Sequence, residues 1–211
     1  MASISDLGKH IEAGAFQEVE NLVHALLDEG VAPNQIIEEG IVPTLDVVGQ
    51  KFSKGECFIP EMLIAAKSSQ KALEIIRPKL VDTDYKPRAK VVIGTVMGDL
   101  HDIGKNIVSM VLQSGGFEVK DLGADVSPET FVDTIKDYQP DIVALSCLLT
   151  TTMPSMRKTI EKIDEAGVRG NIKIIIGGPP INDNFASEIG ADIYGKDAYS
   201  GLESLRQALP A

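Results

Sequence analysis

Two periods run along this chain. Over the first ~85 residues, apolar positions recur at helical spacing. Between Phe16 and Glu29 they fall at Val19, Leu22, Val23, Leu26 and Leu27, and Gly30 is placed to stop that helix. Pro33 opens a second run, with Ile36, Ile37, Ile41, Leu45, Val48 and Phe52 on or near one face, stopped by Gly55. Pro60 starts a third at its first helical position, followed by Met62, Leu63, Ala66, Leu73, Ile76 and Leu80. With a short helix over about residues 4–13, the spacing predicts a small antiparallel four-helix bundle, assigned to an N-terminal domain at 1–85. From Lys90 the pattern changes to short β-branched runs between helical stretches. Strands are predicted at Val91–Val96, Phe117–Leu122, Ile142–Ser146, Ile172–Ile176 and Asp192–Tyr194, with helices at about 103–114, 128–138, 153–167, 182–189 and 198–208. The strands are nearly continuous apolar runs, as when both faces are covered. Five βα units predict an α/β fold: a doubly wound, five-stranded parallel sheet of flavodoxin-like (Rossmann-type) order 2-1-3-4-5, over residues 89–211. Polar, Pro-bearing Asp82–Arg88 is the natural linker.

Composition narrows the function. The chain has 211 residues, 44% apolar and 24% charged, which is ordinary for a globular protein. Its net charge of −11 argues against a phosphate-backbone surface and against an anionic-lipid anchor. Neither a nucleic-acid nor a membrane partner is expected. The N-terminal residues read as free of a secretory signal. The two cysteines, Cys57 and Cys147, read as small buried hydrophobes, and a reducing cytoplasm is the expected compartment.

In open α/β sheets ligands bind outside the carboxyl ends of the strands. After strand 1 comes Gly98-Asp99-Leu100-His101-Asp102-Ile103-Gly104-Lys105-Asn106; strand 3 ends in Ser146-Cys147-Leu148-Leu149-Thr150; Gly177-Gly178 follows strand 4; Lys196-Asp197-Ala198 follows strand 5. In the 2-1-3-4-5 order these fall along one sheet edge. Strand 2 adds the blander Gly123-Ala124-Asp125. Asp102 is placed to cap the next helix, so His101 falls on the loop before it. Asp99 can accept a hydrogen bond from one imidazole nitrogen, leaving the other as a base or a metal ligand. The same pattern also describes a loop histidine held by a local acid. The glycine pair reads as a tight turn or as room for a bulky ligand, and Ser146 and Thr150 also read as turn chemistry. His10 and His24 have no acidic or cysteine partner at ligand spacing.

Several chemistries fail on the residues. Ser146 lacks the Gly-x-Ser-x-Gly elbow, Gly94, Gly98 and Gly104 are misspaced for a dinucleotide loop, and no Walker lysine is present. A receiver domain needs an aspartate where Ser146 stands, and a zinc site needs clustered Cys and His. One acid-backed histidine beside small residues suits a metal that brings most of its own ligands, as in a macrocycle with four equatorial nitrogens.

Asp99-x-His101-x-x-Gly104, then 41 residues, Ser146-x-Leu148, then 28 residues, Gly177-Gly178 resembles the cobalamin-binding signature of methionine synthase and of the corrinoid proteins of methylamine, methanol, betaine and aryl-ether methyltransferase systems. The stretch from Val47 to Leu63 resembles the family's helical cap. The resemblance covers nearly the whole chain. It implies cobalamin or a related corrinoid bound base-off/His-on, with His101 on cobalt, Asp99 holding the imidazole and Ser146 extending the relay. It places Gly98, Leu100, Asp102, Ile103, Gly104 and Leu148 at the cofactor, with the nucleotide tail passing Ser146, Thr150, Gly177 and Gly178 toward Ala198. Phe52 and Ile59 match the apolar cap residues, and Glu38 aligns with a cap-helix acid. Methionine synthase has leucine where Ile59 stands, and Leu100 replaces the commoner Val or Ile.

The implied function is a methyl carrier of anaerobic one-carbon metabolism. It accepts a methyl group on cobalt(I) from a substrate:corrinoid methyltransferase. It donates the group from methyl-cobalt(III) to a corrinoid:acceptor methyltransferase using coenzyme M or tetrahydrofolate, and a reductive activase is the third partner. The alternative within the same fold is a cobalamin-dependent regulator, which usually carries an added DNA-binding domain.

Overall fold

The computed structural model describes residues 2–80, 86–170 and 172–209; most of the predicted linker, 82–85, lies outside them. The chain forms two compact units, the first Met1–Pro87 together with Gln113–Gly116 and the second Arg88–Leu112 together with Phe117–Ala211.

The helical unit contains α1 (Ile4–Ala13), α2 (Phe16–Asp28), the helical run α3 (33–53) and α4 (Ile59–Ile76), with a 3₁₀ turn at Arg77–Lys79. Leu7, Ile11, Val19, Val23, Leu26, Ile36, Ile41, Leu45, Met62, Leu73 and Ile76 form its core. Each fully buried Leu or Ile contributes about 1.5–3 kcal/mol relative to exposure. Gly30, in the left-handed region, ends α2 as predicted: its N–H bonds Leu27 C=O, and Val31 N–H bonds Leu26 C=O. The predicted single run from Pro33 is three stretches, Pro33–Gln35 α-helical, Ile36–Ile41 π-helical and Val42–Ser53 α-helical. Pro43 explains the wide turn. It has no N–H to give Glu39, and its ring would strike that carbonyl in a regular helix. In α4, Ile59 rather than Pro60 is the first helical residue.

The second unit is a five-stranded parallel sheet: β1 (Lys90–Thr95), β2 (Glu118–Asp121), β3 (Ile142–Ser146), β4 (Lys173–Gly177) and β5 (Ile193–Gly195), in the order β2-β1-β3-β4-β5. Helices α5 (Ile103–Ser114), α6 (Pro128–Tyr138), α7 (Met153–Glu165), α8 (Asp183–Glu188) and α9 (Ala198–Ala208) alternate with the strands. Val92, Val143, Leu145, Ile174 and Ile176 pack with Phe131 and Ile135 of α6 and Met156, Ile160 and Ile163 of α7. The last paired row, Thr95–Ser146–Gly177–Gly195, runs across four strands at their carboxyl ends. It is made of small residues, so the loops above it rest close to the sheet. No helix of the described residues is long and apolar enough to cross a membrane.

Candidate functional site

The carboxyl end of β1 delivers the His101 loop onto this row. Asp102 C=O accepts from Asn106 N–H at 2.8 Å, which begins α5 just after the histidine. Thr95 Oγ1 donates to His101 C=O at 3.1 Å. Asp99 is fully buried under the loop. Its Oδ1 accepts from His101 N–H at 3.0 Å and lies 2.8 Å from His101 Nδ1. Its Oδ2 accepts from Leu148 N–H (2.7 Å), Leu149 N–H (3.2 Å) and Thr152 Oγ1 (2.9 Å).

Burial pushes the Asp99 carboxyl up, but these hydrogen bonds outweigh it and hold the group well below the usual carboxylate range. An ionised Asp99 only accepts, so Nδ1 is the ring nitrogen that donates to it and Nε2 is the one left to face outward. The imidazole is half exposed, and Nε2 has no hydrogen-bond partner among the described residues.

Around it stand Leu100 and Ile103, 76% and 78% exposed, with Met97, Leu148 and Leu149 also exposed. Such a patch beside a polar donor marks a ligand surface. Gly104 lies in the first turn of α5, where a Cβ would meet no atom within 4 Å. No backbone strain or internal contact accounts for a helix-weakening glycine there. Gly178 differs. Its φ is +132° and a Cβ would lie 1.8 Å from Cys147 C=O, so the close approach of two loops requires glycine. At Gly177 a Cβ would stand 3.0 Å from Gly195 C=O. The glycine pair is therefore explained by packing within the protein.

The structure brings Gly98, Asp99, Leu100, His101, Asp102, Ile103, Gly104, Ser146, Leu148 and Thr150 to one sheet edge with Gly177, Gly178 and Ala198, the last buried at the start of α9. Ser146 does not extend the Asp99 pair. It is still held in the β-ladder, between Thr95 and Gly177, while the carboxylate stands over the turn that follows. Thr152 takes the contact instead. Phe52 and Ile59 flank the 54–58 turn of the helical unit. Glu38 lies in the π-helical stretch, roughly 20 Å from Phe52 along α3.

Sequence reasoning missed two supports. Asp125, read as bland, holds φ +56°, accepts from Gly98 N–H at 2.7 Å and donates its own N–H to Asp99 C=O at 2.9 Å. Lys105 is buried, its ammonium on Asn106 Oδ1 at 2.7 Å and on the Asp121 carboxylate, tying α5 to β2. Aspartate in a left-handed turn was a readable signal for the first. A buried lysine has no sequence signal of its own. Burial pushes the Cys147 thiol up to about 11 against a lowering hydrogen bond with Thr152, and the Asp99 charge adds to the rise. Both cysteines are free and buried. Among the described residues no three His, Cys, Asp or Glu side chains form a metal cage.

Comparison with known proteins agrees with this geometry. The B12 binding domain family matches residues 89–203, and a second B12 binding domain family matches 4–77. The trimethylamine corrinoid protein of Methanosarcina barkeri is 40% identical over 192 residues, covering 90% of this chain and 88% of the relative. A cobalamin-binding protein from Desulfitobacterium hafniense superposes with a TM-score of 0.80 at 32% identity, covering 100% of both chains. A chain of the methanol:cobalamin methyltransferase complex of Methanosarcina barkeri gives 0.87 at 27% identity, covering 97% of this chain and 78% of that one. With an α/β sheet whose histidine loop lies inside the matched region, the chain belongs to the B12-binding corrinoid proteins of cobalamin-dependent methyltransferase systems.

Proposed function

We propose that the chain binds its corrinoid base-off, with His101 Nε2 as the axial donor to cobalt, and carries methyl groups between two methyltransferases. The observation that carries this reading is the His101 ring itself, with Nδ1 committed to a buried carboxylate and Nε2 unpartnered on an exposed face. The residues fit the group. A macrocycle that fills four positions on its metal needs one protein donor, an apolar surface and room beside the donor. His101, the exposed Leu100, Ile103 and Leu148, and the open side of Gly104 supply these.

When bound, the corrinoid supplies a cobalt centre that can take a methyl group from one partner and give it to another. The protein's part is to set the donor. Asp99 keeps the proton on Nδ1 and fixes the ring plane. Asp125 and Thr95 hold the loop backbone, so the ring keeps one place.

Likeness to a trimethylamine corrinoid protein and to a chain of a methanol:cobalamin methyltransferase complex supports a substrate:corrinoid methyltransferase as donor partner. A corrinoid:acceptor methyltransferase using coenzyme M or tetrahydrofolate, and a reductive activase, complete the proposed cycle.

The test is the absorption spectrum of the protein loaded with methylcobalamin. The wild-type chain is expected to show a histidine-ligated form with the benzimidazole displaced, and His101→Ala a form with neither base on cobalt. Benzimidazole still coordinated in the wild-type protein overturns the site. Carrier function is read from methyl transfer to coenzyme M or tetrahydrofolate with methylamine, methanol, betaine and aryl-ether methyltransferases in turn. No turnover with any of them overturns it.

A further inference from the structure

We propose that the turn after β2, residues 121–125, positions the axial donor by gripping the chain on both sides of His101; this rests on His101 being the axial ligand. Ahead of the histidine, Gly98 is the loose point. Its φ is +87°, in a turn that Asp99 N–H closes on Val96 C=O at 3.1 Å. A glycine there leaves the backbone free to take other conformations. Asp125 removes that freedom with two bonds. Its Oδ1 accepts from Gly98 N–H at 2.7 Å, and its own N–H donates to Asp99 C=O at 2.9 Å. The peptide that enters Gly98 and the one that leaves Asp99 are thus both fixed, just before the histidine.

Beyond the histidine the same turn reaches α5. Asp121 Oδ1 accepts from Gly123 N–H at 2.8 Å, and its Oδ2 takes the ammonium of the buried Lys105. That ammonium also donates to Asn106 Oδ1 at 2.7 Å, and Asn106 N–H bonds Asp102 C=O at 2.8 Å. The turn is itself seated on β1, where Thr95 N–H donates to Gly123 C=O at 3.0 Å. The backbone of Asp125 shows that position, more than stability, is served. Its φ is +56°, which aspartate tolerates and glycine adopts without strain. Asp125 and Gly98 are both exposed, so water could satisfy the Gly98 N–H equally well. Water would not fix where that N–H lies. A single metal bond needs its donor held to a small distance and angle, and a carboxylate on the loop backbone supplies that hold.

The experiment uses the full chain labelled with ¹⁵N-histidine and loaded with natural-abundance cobalamin, reduced to cobalt(II) and read by electron paramagnetic resonance. An axial protein imidazole splits the signal into doublets. Added ¹⁴N-imidazole competes for the metal and gives triplets, so the concentration that halves the doublets measures the strength of the protein's bond. Asp125→Gly is expected to lower that concentration about tenfold, the loss typical of an outer support of a metal ligand. Urea unfolding of its unloaded chain is expected to stay near wild type. Asp125→Asn keeps an acceptor and tolerates the φ, and is expected to match wild type. Lys105→Met frees α5 but leaves Asp121 in contact with water, and is expected to act in the same direction as Asp125→Gly by a smaller factor. An unchanged concentration in Asp125→Gly or in Lys105→Met overturns the proposal and leaves the His101 reading standing; either is decisive if the other does not fold. So does a loss in Asp125→Asn equal to that in Asp125→Gly, or a loss that tracks unfolding stability across the variants. Triplets, or no nitrogen splitting, in the wild-type protein before imidazole is added overturn the His101 reading itself.

Discussion

The histidine loop and the turn between α3 and α4 both present apolar side chains to solvent, and they are built in opposite ways. Leu100 and Ile103 ride on a loop pinned from afar: Asp99 receives bonds from residues 148, 149 and 152, and Asp125 grips the backbone on both sides. Phe58 and Ile59, 65% and 50% exposed, sit beside a turn held by local bonds. These bonds include Gly55 N–H to Phe52 C=O, Glu56 N–H to Lys51 C=O and Phe58 N–H to the Glu61 carboxylate. Long-range bonds fix a direction, which a single coordinating nitrogen needs. Local bonds hold a surface, and apolar contact asks only for area, since its energy depends little on angle.

The contrast can be broken hardest at Gly178. Gly178→Ala places a methyl group on Cys147 C=O at a φ that alanine avoids, and is expected to cost more than about 3 kcal/mol in urea unfolding of the unloaded protein. Next is Asp99→Asn, whose amide must set a donor against donors on one side. A loss of about 2–3 kcal/mol is expected near neutral pH. Because the folded carboxyl is held low, its contribution is present above the ordinary carboxylate value of about 4 and fades as pH falls further. The gap between wild type and Asp99→Asn should therefore narrow in acid, and a constant gap would count against this account of the carboxylate. The smallest effect is expected on the other side. Ile59→Ser should change stability by less than about 0.5 kcal/mol. A large loss of stability would mean that the turn is not the replaceable surface described here.

The architecture was legible because burial on both faces writes itself into a strand as an unbroken apolar run, and a one-sided helix writes a stripe. Strand order followed from short connections and crossover handedness, and the observed edges differ from the predicted ones by a residue, as at β2 and β4. The Asp99–His101 contact was legible because it spans two residues. Thr152 was not, since its contact closes across 53 residues and the Thr150-Thr151-Thr152 run marks no one member. The resemblance implies Ser146 by motif position, which knows the strand but not where a carboxylate above the strand will look. The π-helical stretch was hidden because Ile36, Ile37 and Ile41 keep a plausible α-helical stripe, and only Pro43 betrays the wider turn. The role of Gly178 lies in a neighbouring carbonyl that no local pattern encodes.

Gly104 has a bearing on how related chains can be sorted. An alanine there would strengthen the helix by up to about 1 kcal/mol and collide with nothing in the protein. Selection for the scaffold alone would have no reason to keep the weaker residue. On the proposed reading, in which the corrinoid fills that open side, a lost hydrogen at this carbon would be a cheap marker of a lineage that has given up its guest, legible even where the histidine persists.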